Sequence, residues 1–193
     1  MPNWCDTTYK CVGDPKEVRE LHEILERMNN RKEPIHPNGF GNLWLGELVI
    51  ELGFDCEKYR CRGEITYYDY DGEGLLSISQ NTAWCEQEGV RQAIQEKFPS
   101  IKVYYMEEEP GCDVYYTNDF TGDFFPERFL LDGEDVYEYF ETIEEVSEFV
   151  NERFGLTTTP DFTEIELQLD KYVEEKDDSD FYLNLHEFRY VED

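Results

Sequence analysis

Basic residues are scarce in this chain: 17 Lys and Arg stand against 46 Asp and Glu, and histidine occurs three times. The net charge of −29 excludes a surface built to hold phosphate backbones or anionic lipid, since both need a positive field. Neither direct nucleic-acid binding nor membrane association is therefore expected. Long apolar runs are also missing; none approaches the roughly 20 residues of a membrane span. The opening Met1-Pro2-Asn3-Trp4-Cys5 carries no basic and no apolar stretch of signal-peptide type. A cytoplasmic protein with six reduced cysteines is expected. No G-x-x-x-x-G-K-[ST] and no G-x-G-x-x-G occurs, which removes two common phosphate-cradling loops. No cofactor is expected.

Aromatic residues are plentiful. At 16%, with 14 Tyr and 13 Phe, they supply enough apolar surface for a core despite the charge. The acidity is uneven: residues 1–131 have net charge −12, while the 62 residues 132–193 have −17. Such a field attracts basic partners and opposes compaction, so added salt is expected to stabilise the fold.

The pattern along the chain predicts an α+β protein. Residues 3–12 read as a strand. Asp14-Pro15 opens a helix, with Glu17 in capping-box position and Val18, Leu21, Leu25 and Met28 on one face. Residues 33–42 form a loop, and a short helix spans Leu43 to Leu52. Strands 60–70 and 74–80 meet at Asp71-Gly72. Residues 86–98 form a helix with Val90, Ile94 and Phe98 inward, and strands 101–107 and 112–118 flank Pro110-Gly111. This order matches a ferredoxin-like split βαβ arrangement, with helices on one face of an antiparallel sheet. That domain is assigned to residues 1–125. Residues 126–193 are read as an acidic hairpin–helix–hairpin extension packed on it. Its hairpin turns near Asp132-Gly133, and a helix is capped by Thr142 and Glu145 and ended by Gly155. Alternating Ile165, Leu167 and Leu169 predict a strand, followed by an acidic turn and a last strand, Phe181 to Val191.

Met1-Pro2-Asn3-Trp4-Cys5, Gly13-Asp14-Pro15, Thr82-Ala83-Trp84, Lys97-Phe98-Pro99 and Glu109-Pro110-Gly111 follow one another in that order over roughly residues 1–125. With them this first part resembles the YubB-type ferredoxin-like domain family of plasmid- and phage-encoded proteins. The resemblance implies a fold and a mobile-element setting, and no activity or iron–sulfur cluster. Residues 39–54 differ from the Trp-Gly-rich segment that members often carry, and residues 126–193 extend beyond the shared domain.

No catalytic constellation stands out. His22, His36 and His186 fall in a helix, a loop and a strand, without a Cys-His or Ser-His pattern. Two arrangements come nearest to metal sites. Cys56 and Cys61 form C-x₄-C without a second pair. Asp69, Asp71 and Glu73 match the start of a calcium loop, but Gln80 stands where the closing Glu belongs. Buried thiols and a hairpin turn explain the same residues.

Tyrosine doublets at 67–68, 104–105 and 115–116 send one ring to each sheet face. Tyr68, Tyr70, Tyr104 and Tyr115 are taken as an aromatic surface, either covered by the extension or open to a protein partner. The acids Glu134, Asp135, Glu138, Glu144, Glu145, Glu148, Glu174, Glu175, Asp177, Asp178 and Asp180 are taken as a second surface. Its plainer purpose is solubility; the sharper one is nucleic-acid mimicry. Duplex DNA carries one charge per ~1.7 Å of axis, so 29 net charges match about 14 base pairs. The expected function is a non-catalytic interaction module of mobile-element or phage origin, engaging a basic protein surface. The alternative is a small-molecule or metal-dependent enzyme whose site assembles only in three dimensions.

Overall fold

The computed structural model describes residues 3–176 and 181–192 and is α+β. It divides into unit 1, Met1–Asp119 with Glu192–Asp193, and unit 2, Phe120–Val191, so the division falls at 119/120 against the expected 125/126.

Unit 1 runs β1 (Trp4–Val12), α1 (Pro15–Asn29), α2 (Leu45–Glu51), β2 (Gly63–Tyr70), β3 (Leu75–Ala83), α3 (Glu88–Lys97), β4 (Lys102–Glu109) and β5 (Val114–Thr117). Its strands lie in the order β2-β3-β1-β4-β5, each pair antiparallel. Period-two alternation decides the buried face. Tyr9 opposes Ile78 on one side and Tyr105 on the other, and Cys11 opposes Leu76 and Val103. These side chains are buried with Val18, Leu21, Leu25 and Met28 of α1 and Val90 and Ile94 of α3. The other face is polar, with Thr8, Lys10, Ser77 and Ser79 half-buried.

Helix α1 starts as its residues predict. Asp14 accepts from the Lys16 N–H at 2.9 Å, and Pro15 loses no bond in the first turn. Glu17 does not close a capping box, however. Its carboxylate accepts the N–H and hydroxyl of Ser100, while the Asp14 N–H donates to the Ser100 hydroxyl. A long-range partner displaces the local one and ties the start of α1 to the approach to β4.

Unit 2 runs β6 (Phe129–Gly133), β7 (Val136–Phe140), α4 (Ile143–Phe154), α5 (Phe162–Glu174), β8 (Leu183–Glu187) and the two-residue β9 (Arg189–Tyr190). Strands β7, β6 and β8 form an antiparallel sheet with β6 central. Leu131, Leu183 and Leu185 meet Val146 and Val150 of α4 and Ile165 and Leu169 of α5 in one core. The Thr142–Glu145 capping box is present, and Gly155 ends α4 at φ +71°, a conformation that a Cβ would strain.

Three expectations are corrected here. The β6–β7 turn lies at Glu134-Asp135, two residues beyond Asp132-Gly133. The last strand is broken at the buried Phe188. Residues 165–169 are helical. Asp161 caps α5 by accepting from the Glu164 N–H at 2.9 Å, and Ile165 and Leu169, one helical turn apart, are buried while Leu167 is 51% exposed. The expected acidic turn at 177–180 lies outside the described residues.

Candidate functional site

Three features of the structure bear on function. The first is a polar cluster inside unit 1. Strand β4 alternates Val103, Tyr105, Glu107 and Glu109 towards the helices, so two carboxylates take positions in an apolar phase and are buried. Strand β1 brings Cys5, Thr7 and Tyr9 to the same side. The chain leaves β3 through Trp84, whose φ of +76° is rare for a bulky residue, and this turn leads to the buried Glu86. There the Tyr9 hydroxyl donates to Glu86, and Arg91 Nε donates to the same carboxylate at 3.1 Å. The Arg91 guanidinium also lies over the Tyr105 ring, 5.1 Å from its centroid. Glu107 accepts the Glu86 N–H and, at 3.5 Å, the Cys5 thiol.

Burial dominates the ionisation of this cluster. It raises the Glu86 carboxyl above its ordinary value of 4.5, with Arg91 the main opposing influence. It raises Glu107 likewise, against the donated Glu86 N–H. The Cys5 thiol is pushed up to about 12 by burial and then by Glu107, so it is no thiolate nucleophile at neutral pH. Because the folded pKa values of Glu86 and Glu107 are raised, their contribution to stability is fully present below about 4.5 and lost as pH rises through the folded values. Unit 1 should therefore unfold at higher urea at pH 5 than at pH 7.5. All three tryptophans, Trp4, Trp44 and Trp84, lie in unit 1, so their fluorescence reports it alone. Glu107→Gln, whose amide oxygen still accepts, should narrow that pH difference and raise stability at pH 7.5. Equal narrowing by the exposed Glu20→Gln would assign the effect to net charge instead.

The second feature is a pocket of about 500 Å³ in unit 1, between the 36–44 segment and residues 56–62. Trp44, Tyr59, Arg60 and Arg62 are among its lining side chains.

The third feature is the acidic exterior of unit 2. Glu134, Asp135, Glu138, Glu144, Glu148, Glu174 and Glu175 are all exposed, and among the described residues none forms an ion pair. Glu145 is exposed too, but its carboxylate accepts the Glu141 and Thr142 N–H groups at the start of α4. The helical register of α5 adds residues that a strand reading conceals. Glu144, Glu148 and Glu152 form an exposed i, i+4, i+8 row on α4, and Glu166, Asp170 and Glu174 form another on α5. Asp177, Asp178 and Asp180 lie outside the described residues.

Comparison with known protein families, curated proteins and solved structures finds no match for this chain.

The remaining candidates separate in space. Tyr68 and Tyr70 oppose Ile78 and Leu76, so they share the helix-covered face and not an open one. The Tyr68 hydroxyl donates to Glu26 of α1 at 2.6 Å, and the Tyr70 ring stacks on His22. Tyr104 opposes Lys10 on the polar face, beneath the Lys102 ammonium; Tyr115 is buried opposite Glu108. The exposed member of the first doublet is Tyr67.

Neither arrangement converges on a metal position: among the described residues no three His, Cys, Asp or Glu come together to hold an ion. Asp71 accepts the Glu73 and Leu75 N–H groups and so shapes the hairpin turn. Gln80 is buried on the helix-covered face, away from that turn. The Cys56 and Cys61 thiols are free, and burial pushes Cys61 up to about 12.

Proposed function

We propose that the chain is a non-catalytic interaction module whose unit 2 engages a basic protein surface in the manner of a nucleic-acid mimic. The observation that carries this reading is the pair of acidic rows on α4 and α5, which among the described residues form no ion pair. Successive carboxylates in each row sit about 6 Å apart along the helix axis. Like charges at i, i+4 cost a helix about 0.2–0.5 kcal/mol per pair, and there are four such pairs. Solubility needs net charge but no such stacking, since the same acids could be scattered without self-repulsion. A line of closely spaced fixed charges is what a basic cleft shaped for duplex DNA attracts, at one charge per ~1.7 Å.

For unit 1 we favour a ferredoxin-like reading, supported by the β2-β3-β1-β4 order with helices on one face, and with it the YubB-type resemblance and its mobile-element setting. A cytoplasmic location fits the six free cysteines. The enzyme alternative draws on the Glu86–Glu107 cluster, but neither carboxylate lines the unit 1 pocket.

The test uses the immobilised chain and a variant with Glu144, Glu148, Glu152, Glu166 and Glu174 changed to Gln and Asp170 to Asn. Basic DNA-binding proteins should bind the parent at low salt. Duplex DNA should displace them, as should 0.5 M salt, where the Debye length is about 4 Å. The variant should retain none of them. Undiminished retention by the variant would defeat the proposal.

A further inference from the structure

We infer that the pocket of unit 1 is a binding site for a small phosphate monoester carrying an aromatic ring, of the nucleoside monophosphate class. This is independent of the acidic surface of unit 2.

The pocket is built, not incidental. Its 36–41 rim is held by a fully buried carboxylate: Glu47 accepts the backbone N–H of Ile35 at 2.8 Å and of His36 at 2.7 Å, and pairs with Arg31 at 3.1 Å. Asn38 fixes the tip by accepting the Phe40 and Gly41 N–H groups. The Trp44 indole is locked by donating Nε1–H to the Cys61 carbonyl at 2.7 Å. Gly46 makes room for it, since a Cβ there would collide with the ring. The His36 ring stacks on the indole with centroids 5.9 Å apart. A buried carboxylate, a locked indole and a glycine therefore converge on one half-exposed aromatic surface.

The opposite wall supplies charge. Past the short helical turn Cys56–Lys58, Arg60 and Arg62 both line the pocket; Arg60 donates to the Cys85 sulfur at 3.9 Å, and among the described residues neither arginine forms an ion pair. That is notable where acids outnumber bases 46 to 17; Arg27, Arg31 and Arg91 each hold a carboxylate. Glu57 also lines the pocket and leaves a local surplus of one positive charge. Two guanidinium forks suit a phosphate dianion better than a carboxylate. The volume of about 500 Å³ falls within the range of small-ligand pockets.

Calorimetric titration of the full chain with AMP, adenosine and inorganic phosphate tests this. AMP should bind one site with a dissociation constant of about 1 mM or tighter. Adenosine, lacking the charge, and phosphate, lacking the ring, should each bind at least about tenfold more weakly. Arg60→Gln and Arg62→Gln, both at exposed positions, should each weaken AMP about tenfold. Lys58→Gln, an exposed neighbour outside the pocket, should leave it unchanged. The inference is overturned by no AMP binding at about 10 mM, by equal affinity for AMP and phosphate, or by arginine variants indistinguishable from the parent.

Discussion

Arg91→Leu should destabilise unit 1 by about 3–5 kcal/mol at pH 7.5, the range for removing one partner of a buried ion pair. Both partners are almost out of solvent: Arg91 is 7% exposed and Glu86 8%. Without the guanidinium, Glu86 keeps the Tyr9 hydroxyl but sits ionised beside Glu107, which already accepts its N–H. The carboxyl then escapes the penalty only by taking a proton. Each pH unit between the solution and its raised pKa costs about 1.4 kcal/mol, so the loss should shrink markedly at pH 5. Adding Glu86→Gln should recover part of the loss at pH 7.5, because the amide oxygen still accepts from Tyr9 and no charge is left unpaired. Urea unfolding followed by tryptophan fluorescence measures all three. A loss below about 1 kcal/mol, or one that does not vary with pH, would mean that the cluster is solvated in the protein.

That cluster was partly legible. The apolar phase Val103-Tyr105 continues into Glu107 and Glu109, and a charge in an apolar phase signals a buried carboxylate. What the sequence could not provide is company. Cys5, Glu86, Arg91 and Glu107 span more than 100 positions, and only the β1–β4 register and the turn at Trp84 bring them together. Helix α1 was legible because its signals are local: a cap, a proline and four buried residues at helical spacing. The same local logic placed a capping box on Glu17, where Ser100, 83 residues away, is the partner. The tyrosine doublets show a related limit. Alternation fixes that one ring of each pair faces the helices, but only the register says which, and it buries the side of Tyr68 and Tyr70. The pocket rests on a loop pinned by Glu47, a contact that no spacing rule anticipates.

Leu169→Ala and Leu167→Ala should differ by several-fold in cost, and the contrast decides how residues 162–174 fold. In a strand, Ile165, Leu167 and Leu169 would share one face and each truncation would hurt. In α5 they do not. Ile165 and Leu169 lie one turn apart with Phe162, Tyr172 and Val173 on the core side, while Leu167 points away. Five residues of alternation mimic a strand because positions i and i+4 belong to both periods; the deciding residues, 162 and 172–173, lie outside that window. Leu169, 1% exposed, should cost about 2–5 kcal/mol on truncation to Ala, counting lost burial and the cavity left behind. Leu167, 51% exposed, should cost under about 0.5 kcal/mol. Unit 2 has no tryptophan, so native-state hydrogen exchange of peptides covering α4 and α5 is the suitable readout. Equal losses at both positions would return the segment to a strand and dissolve the Glu166–Asp170–Glu174 row. That row depends on the helix: in a strand those residues would lie about 13 Å apart, too sparse to imitate a line of phosphates.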